Sequence, residues 1–193
     1  QNFTTATNSH NVAMGYDTGG DITTGTLNVL VGALAGNKLT DADRNVAVGH
    51  AALDADTLGS RTTALGYAAL SSQNFTTATN ALNTAVGYEA GKDVTTGTGN
   101  VCIGANAGDE MTTGSTNTFV GYVSAGTGVV TGDNNTGIGV ESGKNVTSGS
   151  NNTFLGHAAG ITGSPGGNIT TGSNNIVLGD ENVTALFCQD TSI

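Results

Sequence analysis

The chain has 193 residues, with 31 glycines, one proline, no tryptophan and only 5 % aromatics, which is too little large-side-chain volume for one conventional core. Charged residues make up 10 % and apolar residues 36 %, a balance that argues against a solvated disordered segment. The net charge of −10 repels phosphate backbones and excludes nucleic acid as a partner, and the absence of a basic amphipathic stretch or a long apolar run predicts no membrane insertion.

From the first described motif onward the chain is a repeat. The pattern Asn-x-x-(large aliphatic)-Gly ends at Gly15, Gly32, Gly49, Gly66, Gly87, Gly104, Gly121, Gly139, Gly156 and Gly179. The steps between these glycines are 17, 17, 17, 21, 17, 17, 18, 17 and 23 residues. A fixed short period is the signature of stacked repeats, in which each layer buries small residues against its neighbours. The first position is Asn in every copy except Thr62, and identical Asn side chains one sheet spacing apart predict a hydrogen-bonded ladder. The position before Gly is always aliphatic or Met, and two residues earlier stands Val, Ile or Thr, so the two columns share one face of a short strand. The residue between them (Ala13, Leu30, Ala47, Ala64, Ala85, Cys102, Phe119, Gly137, Phe154, Val177) is never charged. A strand without charge on either face is covered on both. The expectation is that the pre-glycine column fills the coil and the middle column meets neighbouring chains, with three chains around an axis.

A second element precedes each pentad, as in Ile22-Thr23-Thr24-Gly25, Val94-Thr95-Thr96-Gly97, Met111-Thr112-Thr113-Gly114 and Val146-Thr147-Ser148-Gly149. Its leading aliphatic residue is expected to form the opposing interior wall of the coil. The closing Gly, or Asn8 and Asn80 in its place, is expected to supply a positive φ at a turn. Small residues after the pentad (Ala35, Ala52, Ala69, Ala90, Ala107, Ser124, Ser142, Ala159) allow the chain to turn tightly. Each coil then reads strand, turn, short strand, turn. The predicted fold is all-β, a parallel β-solenoid or β-roll of about ten 17-residue coils, roughly 50 Å long at about 4.8 Å per coil. Its domain spans residues 1–182, and residues 183–193 read as a cap or junction sealing the last coil.

The rhythm breaks in two coils, around Ser71–Thr79 and around Ile161–Asn168. The octapeptide Gln1–Asn8 recurs at Gln73–Asn80, so the chain reads as a piece of something longer. Cys102 and Cys188 lie about five coils apart, more than 20 Å along the axis, too far for a disulfide.

The pentads Asn83-Thr84-Ala85-Val86-Gly87 and Asn45-Val46-Ala47-Val48-Gly49, followed by Tyr or His, resemble the head repeats of trimeric autotransporter adhesins. That resemblance alone implies a left-handed roll with three chains to a rod. The longer unit from Asn83 through Thr95-Thr96-Gly97 to Asn100 is similar to repeats of phage tail fibres, including those of marine phages. The ending Leu186–Ile193 resembles the segment before the self-cleaving intramolecular chaperone of such fibres, which would make Ile193 a processed terminus.

No local Ser-His-Asp or paired-carboxylate spacing stands out, and no column is broken in a way that asks for chemistry, so no enzyme is expected. No cofactor is expected either. Asp41-Ala42-Asp43, Asp54-Ala55-Asp56 and Asp133-Asn134-Asn135 carry oxygen ligands suited to Ca²⁺, but the EF-hand spacing is missing and they read as solvated acidic turns. His50 or His157 around a three-fold axis would suit a transition metal, and a packed surface imidazole is the plainer reading.

The candidate receptor-binding residues are the column after the pentad glycine (Tyr16, His50, Tyr67, Tyr88, Tyr122, His157) and the two insertions (Asn74, Phe75, Ser164, Pro165). Amphipathic rings suit wet interfaces, and loops on a rigid scaffold carry recognition. The expected role is a structural and host-receptor-binding segment of a homotrimeric viral tail fibre. Its partner is a cell-surface glycan or protein, and its place is the virion, outside the cell. The alternatives are a bacterial adhesin head or extracellular filament at the cell surface, and an ice-binding solenoid built on Thr columns.

Overall fold

The computed structural model describes residues 8–185. Each pentad forms one three-residue strand: β1 Val12–Met14, β2 Val29–Val31, β3 Val46–Val48, β5 Thr63–Leu65, β7 Thr84–Val86, β8 Val101–Ile103, β9 Thr118–Val120, β10 Thr136–Ile138, β11 Thr153–Leu155 and β12 Ile176–Leu178. These ten strands stack in chain order into one parallel sheet, paired pentad to pentad in strict register, as in Thr84↔Val101, Ala85↔Cys102 and Val86↔Ile103. The fold is an all-β parallel β-solenoid, with no helix among the described residues.

The second predicted strand is different. Only β4 (Gly59–Ser60) and β6 (Thr79–Asn80) pair there, as a separate two-stranded sheet, with one isolated bridge at Met111–Val130. Elsewhere the Thr-Thr-Gly segments are bends. Their backbones still bind coil to coil, with Thr95 N–H donating to Thr112 O (2.9 Å) and Thr147 N–H to Thr170 O (2.8 Å). Their leading aliphatic residues Ile22, Val94, Met111 and Val146 are fully buried, as expected.

The two faces of the strands are reversed relative to the expectation. The middle residues Leu30, Ala47, Ala64, Ala85, Cys102, Phe119, Phe154 and Val177 point inward and are buried, whereas Met14, Ile103, Ile138 and Leu155 before the glycine point outward and are exposed. The interior accepts such varied residues because a second column, four residues after the pentad glycine, varies in the opposite sense. In the coils of Ala47 and Ala64 this column holds the buried Leu53 and Leu70, and in the next coil, where Ala85 is joined by Gly91, Leu70 reaches across: a Cβ at Gly91 would lie 3.0 Å from Leu70 Cδ2. Where the strand offers Leu30, Cys102 or Phe154, it holds Gly36, Gly108, Gly143 or Gly160, and a Cβ at Gly36 would lie 2.8 Å from Leu30 Cδ2. Gly137 likewise pairs between Phe119 and Phe154, and a Cβ on it would lie 2.9 Å from Phe119 Cδ1 and 2.9 Å from Ser124 Oγ. Interior volume is conserved across pairs of columns, in keeping with close packing.

The pentad glycine answers two constraints at once. Gly87 has φ +142°, and a Cβ on it would stand 2.5 Å from the Gly104 carbonyl oxygen of the next coil. The Thr-Thr-Gly glycines meet only the second constraint. Gly97 has no positive φ, contrary to expectation, but a Cβ there would strike the Gly114 carbonyl. Asn80 is not in the positive-φ region either. The left-handed residues lie elsewhere, immediately before each pentad Asn (Leu27, Arg44, Arg61, Leu82, Thr116) and two residues past the glycine (Leu34, Ala51, Glu89, Asn106, Val123).

The Asn ladder exists: side chain meets side chain directly at Asn135, Asn152 and Asn175, where Asn152 Nδ2 donates to Asn135 Oδ1 (3.0 Å) and Asn175 Nδ2 to Asn152 Oδ1 (2.8 Å), and in the earlier coils it runs through the backbone. Asn117 N–H donates to Asn100 Oδ1 (2.9 Å), Asn117 Nδ2 donates to Gly132 O (3.0 Å), and Asn135 N–H returns to Asn117 Oδ1 (2.8 Å). Each buried carboxamide therefore clamps the strand entry of one coil to the Thr-Thr-Gly turn and strand entry of the next. The predicted cap at 183–193 falls largely outside the described residues, as do Cys188, the first octapeptide up to Thr7 and the segment Leu186–Ile193. Cys102 is a buried interior thiol, which burial pushes up to about 12.

Candidate functional site

Because the strands are in register, residues one past each pentad glycine project from neighbouring coils along one edge of the sheet. His50, Tyr67 and Tyr88 occupy three successive rungs there and stack face to face, with centroids 5.5 Å and 5.2 Å apart and planes within 11° and 9° of parallel. The stack is open to solvent, with Tyr67 48 % and Tyr88 53 % exposed. The rings both pack on one another and form an exposed stripe. Each inner ring face is covered by the next ring, and the edges and outermost faces are wet. A hydrogen bond to Glu89 holds the Tyr88 phenol above its ordinary range, so the ring stays neutral and keeps a donor near its carboxylate neighbour.

Tyr16 and Tyr122 belong to the same column and are exposed, but each is separated from the triple stack by one rung, occupied by Ala33 and Ala105 respectively. His157 is further along the column, and its Nδ1 lies 3.0 Å from Asp180 Oδ2. That hydrogen bond holds the Asp180 carboxyl below its ordinary value.

The insertions contribute less surface than expected. Asn74 is exposed, with its Oδ1 accepting from the Thr57 hydroxyl (3.2 Å). Phe75 and Ser164, expected on the recognition surface, are instead buried, each 6 % exposed. Phe75 is drawn in because its N–H donates to the buried Asp56 (3.1 Å). Ser164 is drawn in because its hydroxyl accepts from Gly160 N–H (3.1 Å) and donates to Ile161 O (2.8 Å). Pro165 is exposed and lines an apolar hollow with Ile176, Leu178 and Val183.

Asp56 is a residue whose place the sequence did not reveal. It read as part of a solvated acidic turn, yet it is fully buried at the position where neighbouring coils carry Leu39 and Val94. The following coil places Gln73 in the same column, also fully buried. Asp56 accepts from Gly59 N–H (3.0 Å), Phe75 N–H and Gln73 Nε2; Gln73 Nε2 also donates to Thr62 Oγ1 (3.1 Å), and Gln73 Oε1 accepts from Asn83 Nδ2 (2.8 Å). Two polar residues thus replace two apolar ones at the coil where Thr62 interrupts the Asn ladder, and together they bridge the gap. Burial raises the Asp56 carboxyl above its ordinary value, and its donors oppose the shift. The signal in sequence was the coincidence of Thr62, Asp56 and Gln73 in adjacent coils.

The other acidic turns are used as stitches between coils. Asp41 Oδ1 accepts from the Thr24 hydroxyl (2.6 Å), Asp43 Oδ1 from Thr26 N–H (2.7 Å), and Asp133 Oδ1 from Ser115 N–H (2.7 Å). Asn134 binds the Thr116 hydroxyl, and Asn135 belongs to the buried ladder. Asp54 and Asp109 are raised by burial. Among the described residues, no three His, Cys, Asp or Glu side chains gather into a metal-binding group. No helix there is long and apolar enough to cross a membrane.

The chain matches no protein family, no curated protein and no solved structure.

Proposed function

We propose that this chain is a structural and receptor-binding segment of a viral tail fibre, a left-handed solenoid of ten coils that works as a stiff homotrimeric rod and carries no catalysis. One observation carries the reading: the outward face of the ten-stranded sheet has no charged residue in a chain of net charge −10. One of its two columns is apolar at every rung, from Met14, Val31 and Val48 to Leu155 and Leu178; the other mixes Val12, Val29, Val46, Val101 and Ile176 with five threonines, and Met14 is 65 % and Ile176 76 % exposed. Its length is about nine sheet spacings, roughly 43 Å. An uncharged, largely apolar stripe of that extent is the kind of surface that soluble proteins cover with a partner. Acidic copies of one chain can meet there without bringing like charges together. Parallel packing of three identical stripes would exclude water along the whole rod, and the exposed aromatic edge would remain available to host glycans outside the cell. No cofactor enters this reading.

Native mass spectrometry and light scattering test it. A trimer is expected, and a stable monomer at micromolar concentration overturns the rod. Val48→Asp and Ile103→Asp on the outward face should dissociate the trimer while leaving the circular dichroism of each coil in place. A bacterial adhesin head would share this oligomeric state.

A second reading has its own observation. Thr118, Thr136 and Thr153 stand in register on the same outward face, a regular hydroxyl row on a parallel sheet. Ice binding would use that row in a monomer, and thermal hysteresis by the isolated chain would favour it over the fibre.

A further inference from the structure

We infer that Ala105 marks a missing rung in the aromatic ladder and that one neutral or amino-bearing pyranose ring of a host glycan fills it. The inference rests on the receptor-binding reading and assigns it a site and a ligand class. The ladder's spacing is measured twice, at 5.5 Å for His50–Tyr67 and 5.2 Å for Tyr67–Tyr88. The next coil presents Ala105 in register, and the one after it presents exposed Tyr122. Two sheet spacings, about 10 Å, therefore separate the Tyr88 and Tyr122 rungs. A six-membered ring placed midway stands about 5 Å from each, the same interval the protein's own rings keep. Tyr88 has no aromatic partner on its Ala105 side, so the apolar face of a sugar ring can cover a ring face that is otherwise wet.

The rim supplies the polar half of sugar recognition. Glu89 follows Tyr88 and Asn106 follows Ala105, both in the left-handed conformation. Asn106 Nδ2 donates to Glu89 Oε2 (3.3 Å) and Asp109 Oδ2 (3.2 Å), which fixes the two carboxylates before any ligand arrives. Preorganised carboxylates beside an apolar ring face suit vicinal hydroxyls or an amino group. Lys92, with Nζ 3.6 Å from Glu89 Oε2, is the only cation at this rim, so acidic groups outnumber it and a uronic or sialic acid is disfavoured. The other gap, at Ala33 between Tyr16 and His50, is rimmed by Asp17, Leu34 and Ala51, and its carboxamide, Asn37, gives Nδ2 to the Asp17 backbone carbonyl (2.9 Å) rather than bridging two carboxylates.

The test titrates the full chain with methyl α-D-glucopyranoside, methyl α-D-galactopyranoside and D-glucosamine, read by saturation-transfer NMR and by tyrosine fluorescence, which no tryptophan obscures. At least one sugar should saturate the protein. Ala105→Tyr should abolish that binding by filling the rung, whereas the same change at the other gap, Ala33→Tyr, should leave it intact. Tyr88→Ala and Tyr122→Ala should each weaken it roughly tenfold. Binding that survives Ala105→Tyr overturns the site. Glucuronate binding more tightly than the neutral sugars, or phenol binding as well as they do, overturns the ligand class. If none of the three sugars binds, the inference fails; adhesion of the same protein to intact host cells would then leave the receptor reading standing, and no adhesion would remove both.

Discussion

The coils from Asn83 to Gly121 and the stretch from Asp56 to Asn83 solve the same stacking problem with different chemistry. In the first, buried Asn83, Asn100 and Asn117 repeat one set of hydrogen bonds at intervals of 17 residues, above an interior of Ala85, Val94, Cys102, Met111 and Phe119. In the second, Thr62 interrupts the ladder, and Asp56 and Gln73 enter the interior to carry its hydrogen bonds across an insertion of four residues. A second small sheet, β4–β6, appears only here. The contrast shows that the solenoid tolerates a change of period provided every buried polar group regains a partner, as buried polar groups generally must. The regular region is held by repetition, the irregular one by a network particular to it.

The comparison can be broken most severely at the glycine both regions share. Gly87→Ala forces a side chain into a positive φ and against the Gly104 carbonyl, and should lower stability by about 4 kcal/mol or prevent folding, as read from thermal melting by circular dichroism. Asn117→Ala in the regular region leaves the Asn135 N–H and the Gly132 carbonyl without their side-chain partner and should cost about 3 kcal/mol. In the irregular region, Asp56→Ala strands Gln73 and two backbone N–H groups; a loss of about 2 kcal/mol is expected, with amide exchange accelerating around β4 and β6 and not at β9. A uniform loss of protection along the rod would show that the network is not local. Tyr67→Ala removes two exposed stacking contacts and should cost about 1 kcal/mol.

Acidity should sharpen the contrast in the same direction. Burial raises the carboxyls of Asp54, Asp56 and Asp109, so each holds its proton better in the folded chain than in the unfolded one. The stability they contribute is complete below the ordinary value of 3.8 and is lost as pH rises through their higher folded values. Asp180 is shifted the other way: its contribution is present above 3.8 and is lost as pH falls through its lower folded value. Melting temperature should therefore rise on acidification from pH 7 toward pH 4, and Asp56→Asn should flatten that slope.

Much of this fold was legible because parallel in-register stacking writes itself into sequence as a fixed period. The strands, the Asn ladder, the interior aliphatic wall at Ile22 and Val94, and the need for small residues at Ala35 to Ala159 were all visible. Strand facing was not. A column that is always aliphatic, such as Val48 and Val86, looks like a core, but the interior column is the one free to vary, since Leu53 and Leu70 compensate Ala47 and Ala64 in their own coils and Leu70 fills the space beside Gly91 in the next. Left-handed backbone at Leu27, Arg44 and Leu82 was equally hidden, because tertiary stacking imposes it whatever side chain is present. In the candidate site, the aromatic column could be read from spacing, but its gaps gained meaning only with the measured ring intervals. Phe75 went unrecognised as a buried residue because Asp56 was taken for a surface acid.

The hydrogen bonds that join regular coils reach only the adjacent coil, with Asn partners 17 residues away for the backbone N–H and 14 for the side-chain Nδ2. A whole unit can therefore be duplicated or deleted while each remaining coil still meets a neighbour of the same shape. Such a chain is a ruler graduated in steps of about 4.8 Å, and recombination between its own repeats would reset the reach of the rod without disturbing the register of any strand.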